Sequence, residues 1–105
     1  MKPSRAALAI ALAVCAGCAF IPRDYARLDE ARQAYAEALR DPTVAGFAPM
    51  ELQAAAEVLE RAGKARDTLD DPAVVDHLSY LARQRVAIAR EAARMRSFDR
   101  AGRVL

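Results

Sequence analysis

Apolar residues recur three and four positions apart along most of the chain, which is the spacing of one face of an α-helix. The pattern falls into three blocks, each opened by a proline at Pro22, Pro49 or Pro72. Proline suits the first turn of a helix because its missing N–H has no helical partner there. The sequence predicts helices at about 23–40, 49–69 and 72–100. We therefore expect an all-α fold, a three-helix antiparallel bundle (up-down-up) with a long, overhanging third helix.

The apolar stripes predict which residues form the core of this bundle. Many are alanines, which let helices approach closely but bury little apolar area. Gly63, inside the second helix, is interpreted as another sign of close packing. The predicted core positions are Tyr25, Leu28, Ala31, Tyr35, Ala38 and Leu39 in the first helix; Leu52, Ala55, Ala56, Leu59, Ala62, Ala65 and Leu69 in the second; and Val74, Leu78, Leu81, Ile88, Ala92 and Met95 in the third, with Val75, Ala82 and Ala89 beside that stripe.

Asp-Pro pairs mark the ends of the predicted helices. Asp41-Pro42 ends the first helix because a residue before proline is pushed out of the helical region. Asp70-Asp71-Pro72 ends the second helix in the same way, and an aspartate there can cap the incoming helix. We expect segment 43–48 to connect the first two helices.

The first 18 residues have the layout of a secretory signal. Lys2 and Arg5 precede the uncharged apolar run 6–14, and the small residues Ala16 and Gly17 lead to Cys18. This ending resembles the lipobox of bacterial lipoproteins, in which the cysteine is acylated and becomes the mature N-terminus. The resemblance implies a removed signal peptide at 1–17, a lipidated tether at 18–22, lipidation at Cys18 and a helical domain at 23–105.

One position departs from the lipobox pattern. Family members usually carry Leu three residues before the cysteine, where this chain has Cys15, and Val14 is too large for cleavage before Cys15 itself. Two alternatives stay open, an ordinary cleaved secretory signal and an uncleaved anchor. The anchor is disfavoured because Ala6 to Ile21 supplies 16 uncharged residues, fewer than the roughly 18 needed to span a bilayer. Ala19, in place of the Asp that signals inner-membrane retention, favours the outer membrane by analogy.

The sequence offers little catalytic or metal-binding chemistry. Cys15 and Cys18 form a C-x-x-C pair, but a zinc site needs two more ligands and the chain has one histidine, His77. Asp70, Asp71 and Asp76 lack the ligand spacing of a calcium loop. No Ser/His/Asp arrangement or Gly-rich phosphate loop occurs, so we expect no enzyme, no cofactor and no metal.

Charge is distributed unevenly along the chain. Segment 23–76 has 12 acidic and 7 basic residues, whereas 83–105 has seven arginines against Glu91 and Asp99. The simpler interpretation is that the two halves complement each other within the bundle. The alternative is that the basic tail contacts an anionic surface. A helical wheel places Arg83, Arg90 and Arg94 on one side and Arg85, Arg96, Arg100 and Arg103 nearly opposite, whereas a single binding face would group them.

The mature chain as a whole also resembles a known family. Its signal ends at Cys18, its first helix is alanine-rich, and the entry Phe47-Ala48-Pro49-Met50-Glu51-Leu52 is followed by Ala-x-x-x-Leu-x-x-Ala spacing. These features are similar to a family of small helical bacterial lipoproteins whose domain is of unknown function. The resemblance implies that the domain occurs alone or ahead of an OmpA-like peptidoglycan-binding domain.

The expected function is a structural or adaptor role without catalysis, at the periplasmic face of the outer membrane. The alternative is a module that binds cell wall or anionic lipid through the basic C-terminal helix. Expected partners are the membrane, through the lipid anchor, and another envelope protein or a second copy of the chain. Peptidoglycan is a further candidate, and nucleic acid is not expected because the mature chain has 14 basic and 14 acidic residues. The candidate interaction surface comprises Met95, Arg96, Phe98, Arg100 and Arg103.

Overall fold

The computed structural model describes residues 25–104. Four helices follow one another, α1 (Ala26–Arg40), α2 (Pro42–Phe47), α3 (Pro49–Asp67) and α4 (Pro72–Val104). No strand occurs within this range, so the prediction of an all-α fold is confirmed. The structure adds the short helix α2 to the three predicted ones, and it carries α4 four residues past the predicted end.

Both Asp-Pro pairs form helix junctions. The side-chain Oδ1 of Asp41 accepts the backbone N–H of Thr43 at 2.9 Å, and Oδ1 of Asp71 accepts that of Ala73 at 2.9 Å. Each aspartate thereby satisfies an N–H that the first turn of the following helix leaves without a helical partner. Pro42 and Pro72 occupy the first helical positions. Asp41 therefore ends α1 and starts α2 in a single step.

The end of α3 differs from the prediction that the second helix runs to residue 69. The helix ends at Asp67, and Leu69 has a positive φ of 55°. The N–H of Leu69 donates to the carbonyl of Arg66 at 3.0 Å, and the N–H of Asp70 donates to the carbonyl of Ala65 at 2.9 Å. These are the two hydrogen bonds of a Schellman motif, which usually places glycine at the left-handed position.

In the first two predicted helices, Leu69 and Leu39 are outside the core. Leu69 is 78% exposed because it lies in the turn and not in the helix. Leu39, in the last turn of α1, is 48% exposed. Leu28, Ala31 and Ala38 supply the buried face of α1 instead.

The core face of α4 also lies one residue away from the predicted stripe. The buried positions alternate at spacings of four and three, which is the 3.5-residue period of coiled-coil packing. We call this row the inner seam: Val75, Ser79, Ala82, Val86, Ala89 and Ala93.

Larger apolar residues of the predicted stripe lie outside the inner seam. Val74, Ile88 and Met95 are exposed, whereas Leu78 and Leu81 are half-buried against the edge of the core. A seam of small side chains brings the helices close together, and a close approach leaves no room for larger ones. The residues predicted to lie beside the stripe, Val75, Ala82 and Ala89, are therefore the ones that form the core.

The core has two clusters, one toward each end of the packed helices, and α4 contributes to both. Tyr25 and Tyr35 pack on the edge of the first cluster, and Phe47 packs on the second. The first cluster comprises Leu28, Ala31, Val58, Leu59, Ala62, Ala65, Val75 and Ala82; the second comprises Ala38, Val44, Ala48, Leu52, Ala55, Val86, Ala89 and Ala93.

Candidate interaction surface

Arg96 joins α4 to the junction between α2 and α3. Its Nη1 donates to the backbone carbonyl of Phe47 at 2.7 Å and to the two carboxylate oxygens of Glu51 at 2.7 and 2.9 Å. Phe47 ends α2, where helical carbonyls lack partners, and Glu51 lies in the first turn of α3, where a negative charge is favoured. Hydrogen bonds between charged groups are shorter and stronger than neutral ones. Arg96 is therefore a structural contact between three helices.

Arg100 lies one turn further along α4 on the same side. The centre of its guanidinium is 5.9 Å from the centroid of the Phe47 ring, within the range of a cation–π contact. Arg103 lines the same open groove together with Phe47, Arg96, Asp99 and Arg100. Three of the five residues of the candidate interaction surface thus come together around Phe47.

Met95 and Phe98 face a different direction. Met95 is 62% exposed and Phe98 is 79% exposed, and they contribute to neither core cluster. Because successive residues of a helix are rotated by about 100°, these two lie well away from Arg96 and Arg100. The five predicted residues therefore form two surfaces, a basic one against α2 and an apolar one turned outward.

Ion pairs between helices connect the acidic and basic halves of the chain. Nη1 of Arg83 lies 3.3 Å from Oε2 of Glu30, and Nη1 of Arg27 lies 3.7 Å from Oδ2 of Asp76. These side chains are largely exposed, and such pairs contribute about 0.2–1 kcal/mol each. Together with Arg96 and Glu51, they favour the interpretation that the two halves complement each other within the protein.

The other polar residues singled out in the sequence have structural contacts or lie at the surface. Asp71 caps α4, Oδ1 of Asp70 accepts the N–H of Asp71 at 2.7 Å, and Asp76 pairs with Arg27. His77 is exposed. Within residues 25–104, no three metal-ligating side chains converge.

Tyr80 is the one of the three tyrosines that is largely exposed, at 57%. It lines a groove between α1 and α4 whose walls carry the Arg83–Glu30 pair and Arg27. The groove opens to solvent and holds charges that already have partners.

The partners of Arg96 are not predictable from the sequence pattern. Glu51 was recognisable as a first-turn acid, but nothing in the spacing indicated that a residue 45 positions later would meet it. The carbonyl of Phe47 becomes an acceptor only because α2 ends there, and α2 was itself not predicted.

Cys18 and Cys15 lie outside the described residues, so the lipidation site stays a prediction. No helix between residues 25 and 104 combines the length and apolarity needed to cross a bilayer.

The contacts define an all-α domain in which three ion pairs, Arg27–Asp76, Arg83–Glu30 and Arg96–Glu51, join different helices. Residues 26–101 match the family described as a domain of unknown function, DUF4398, and the chain belongs to that family. The match begins at the first residue of α1 and covers nearly all of α4. No curated protein and no solved structure matches the chain.

Proposed function

We propose that this protein is a bacterial envelope lipoprotein with a structural or adaptor role and no catalytic activity, anchored through Cys18 at the periplasmic face of the outer membrane. The observation that carries the proposal is the uncharged run 6–14 ending at Ala16, Gly17 and Cys18, directly ahead of an all-helical domain. The lipobox resemblance and the absence of Asp at position 19 support the compartment.

The role without catalysis is supported by what the polar residues do. Asp41 and Asp71 cap helices, whereas Arg83 and Arg96 join α4 to α1 and α3. The side chain of Ser79, buried in the inner seam, donates to the carbonyl of Val75 at 2.7 Å. Polar groups engaged in this way stabilise a scaffold.

We propose an up-down-up arrangement of the three long helices. The pairs Arg27–Asp76 and Glu30–Arg83 follow the same order along α1 and α4, which supports parallel directions for those two helices. Glu51, at the start of α3, meets Arg96 late in α4, which supports opposite directions for that pair. The last buried residue of α4 is Ala93. Arg96 and Arg100 still contact Glu51 and Phe47, so the residues beyond Arg100 form the proposed overhang.

Cysteine substitution tests the anchor, and the chain supplies its own control. Changing Cys18→Ser should release the protein from the membrane fraction or block its processing, because the acylated thiol is lost. Cys15→Ser should leave membrane association unchanged. Equal effects of the two substitutions would contradict the lipobox assignment.

A second candidate function, binding of cell wall or anionic lipid through the basic helix, is favoured by three arginines. Arg85, Arg90 and Arg103 take no part in the ion pairs found among residues 25–104, and neither does Arg100, which instead contacts the Phe47 ring. Sedimentation with isolated peptidoglycan or anionic vesicles should then weaken as salt is added.

A further inference from the structure

The outward face of α4, on the side opposite the inner seam, carries four large exposed apolar residues, together with the polar residues His77, Gln84 and Glu91. At about 100° per residue, Tyr80, Ile88, Met95 and Phe98 centre roughly half a turn from the seam. They are 57%, 50%, 62% and 79% exposed, respectively. We call these four residues the outer strip. From Tyr80 to Phe98 it runs about 27 Å along the helix.

Arginines border the outer strip on both sides. Arg83, Arg90 and Arg94 form one margin, on the side of α4 where Arg83 meets Glu30 of α1. Arg85, Arg96 and Arg103 form the other, on the side where Arg96 meets Glu51 of α3. Each margin lies roughly a quarter turn from the centre of the strip. Apart from Arg100, which contacts the Phe47 ring, the two groups of arginines that a wheel places on opposite sides are thus the two edges of one face.

We propose that the outer strip of α4 rests on the surface of an anionic lipid bilayer. This pattern, an apolar face with basic residues along both borders, is how a helix lies in a membrane interface. The apolar side chains enter the boundary of the acyl layer, and the margin arginines without an ion pair in the described part of the chain, Arg85, Arg90 and Arg103, extend toward the lipid phosphates. The inference rests on the proposed function, because an anchor at Cys18 would hold the domain beside such a surface.

Charge distinguishes an anionic bilayer from a second copy of the chain as the partner of the outer strip. Two outer strips packed together would bring the arginine margins of both copies close, and like charges repel. The acids on this side of α4 are few. Oε2 of Glu91 lies 3.4 Å from Nη1 of Arg94 in the same helix, and Asp99 lies near the margin formed by Arg85 and Arg103. An anionic surface meets both margins with opposite charge.

The apolar residues decide between a bilayer and the cell-wall polymer. Peptidoglycan offers negative charge but has no acyl layer to receive Met95 and Phe98, which together expose most of their side chains. A bilayer supplies both. Because His77, Gln84 and Glu91 also lie on the exposed face, binding should be reversible and should depend on the negative charge of the lipid.

A single fluorescent reporter tests this contact. The chain contains no tryptophan, so Phe98→Trp in the full chain places one emitter on the outer strip. Vesicles of phosphatidylglycerol and phosphatidylethanolamine should shift its emission to shorter wavelength, and phosphatidylcholine vesicles should not. Met50→Trp is the matched control, since Met50 is 72% exposed but lies on α3. It should show no shift with either lipid.

Charge variants add the second arm of the test. Changing Arg85, Arg90 and Arg103 together to Gln should weaken the response at position 98 by roughly a hundredfold in lipid concentration. Changing Arg40, Arg61 and Lys64 to Gln removes the same charge from α1 and α3 and should have a much smaller effect. Equal losses in the two triple variants would overturn the proposal.

Three other results would also overturn it. They are equal shifts on both lipids, a shift without vesicles that grows with protein concentration, and salt-sensitive binding to isolated peptidoglycan with no shift on vesicles.

Sedimentation with vesicles separates this proposal from the anchor. If an acylated chain sediments with both lipids but the tryptophan emission at position 98 does not shift, only the proposal for the outer strip is contradicted. A shift at position 98 in a chain that the cell has exported without acylating Cys18 supports the strip and contradicts the anchor.

Discussion

Arg96 and Glu51 lie 2.7 Å apart although 45 positions separate them in the chain. Their contact fixes the last third of α4 against the first turn of α3, and the same guanidinium nitrogen holds the carbonyl that ends α2. The Glu51 side chain is 20% exposed and that of Arg96 is 51% exposed. This pair is the least exposed inter-helix ion pair of the described residues.

Glu51→Gln should therefore destabilise the protein more than the loss of a surface ion pair would. Hydrogen bonds to charged groups contribute about 1.5–3 kcal/mol when shielded, and the half-exposed Arg96 reduces that to about 1 kcal/mol. Thermal unfolding followed by circular dichroism should show a fall in Tm of about 4–8 °C. The matched control is Glu30→Gln, which breaks the exposed contact with Arg83 and should lower Tm much less. Equal falls in Tm for the two variants would show that the contact of Arg96 with Glu51 contributes no more than an exposed ion pair.

Leu69→Gly should stabilise the protein. Leu69 occupies a left-handed backbone conformation, which costs a non-glycine residue about 1–2 kcal/mol, and its exposed side chain buries little area. Part of the gain is offset by the greater freedom of glycine in the unfolded chain, so the expected net change is about 0.5–1 kcal/mol. Leu69→Ala keeps the strain and should change Tm little. A lower Tm for Leu69→Gly would contradict the Schellman assignment.

The one-residue offset of the inner seam can be tested with two adjacent positions. Ala89 is fully buried, whereas its neighbour Ile88 is 50% exposed. Ala89→Leu should destabilise by about 1–3 kcal/mol because the close helix contact has no room for the larger side chain. Ile88→Ala should lower the free energy of unfolding by much less than Ala89→Leu does. If urea unfolding shows the larger loss at Ile88, the seam follows the originally predicted stripe.

Gly63→Ala should raise the stability of α3 by up to about 1 kcal/mol, because alanine favours the helix interior over glycine. A Cβ at this position would come 3.2 Å from Nη2 of Arg32, which is the movable end of a long side chain. Gly63→Leu is the contrasting variant and should destabilise, since Gly63 is buried. A loss of stability in Gly63→Ala would show that Arg32 cannot shift.

Local chemistry made the helix boundaries largely predictable from sequence. The Asp-Pro pairs at 41–42 and 71–72 combine a residue unfavourable to the outgoing helix with a cap for the incoming one. The end of α1 at Arg40 and the start of α4 at Pro72 therefore lie where the sequence placed them, whereas the start of α2 at Pro42 was not predicted. The end of α3 was not predicted either, because a left-handed leucine is uncommon and Leu69 fits the apolar spacing. Six-residue α2 is too short for any periodicity to reveal it.

The inner seam and the outer strip could not be separated by spacing alone. Val74, Leu81, Ile88 and Met95 are seven apart, and so are Val75, Ala82 and Ala89 one position later. Both rows satisfy the helical period, and hydrophobicity favoured the row with larger side chains. The fold selects the smaller row because the alanines of α1 and α3 bring the helices close together. Ile88 and Met95 of the larger row are left facing outward between the arginine margins, whereas Leu81 packs on the edge of the core.

The most direct test of the proposed function is the mass of the N-terminal peptide of the protein isolated from its native membranes. The lipoprotein account predicts a peptide that begins at Cys18 and carries the added mass of acyl chains on that residue. The same peptide without lipid, a mature N-terminus at any other residue, or an intact chain from Met1 would contradict it.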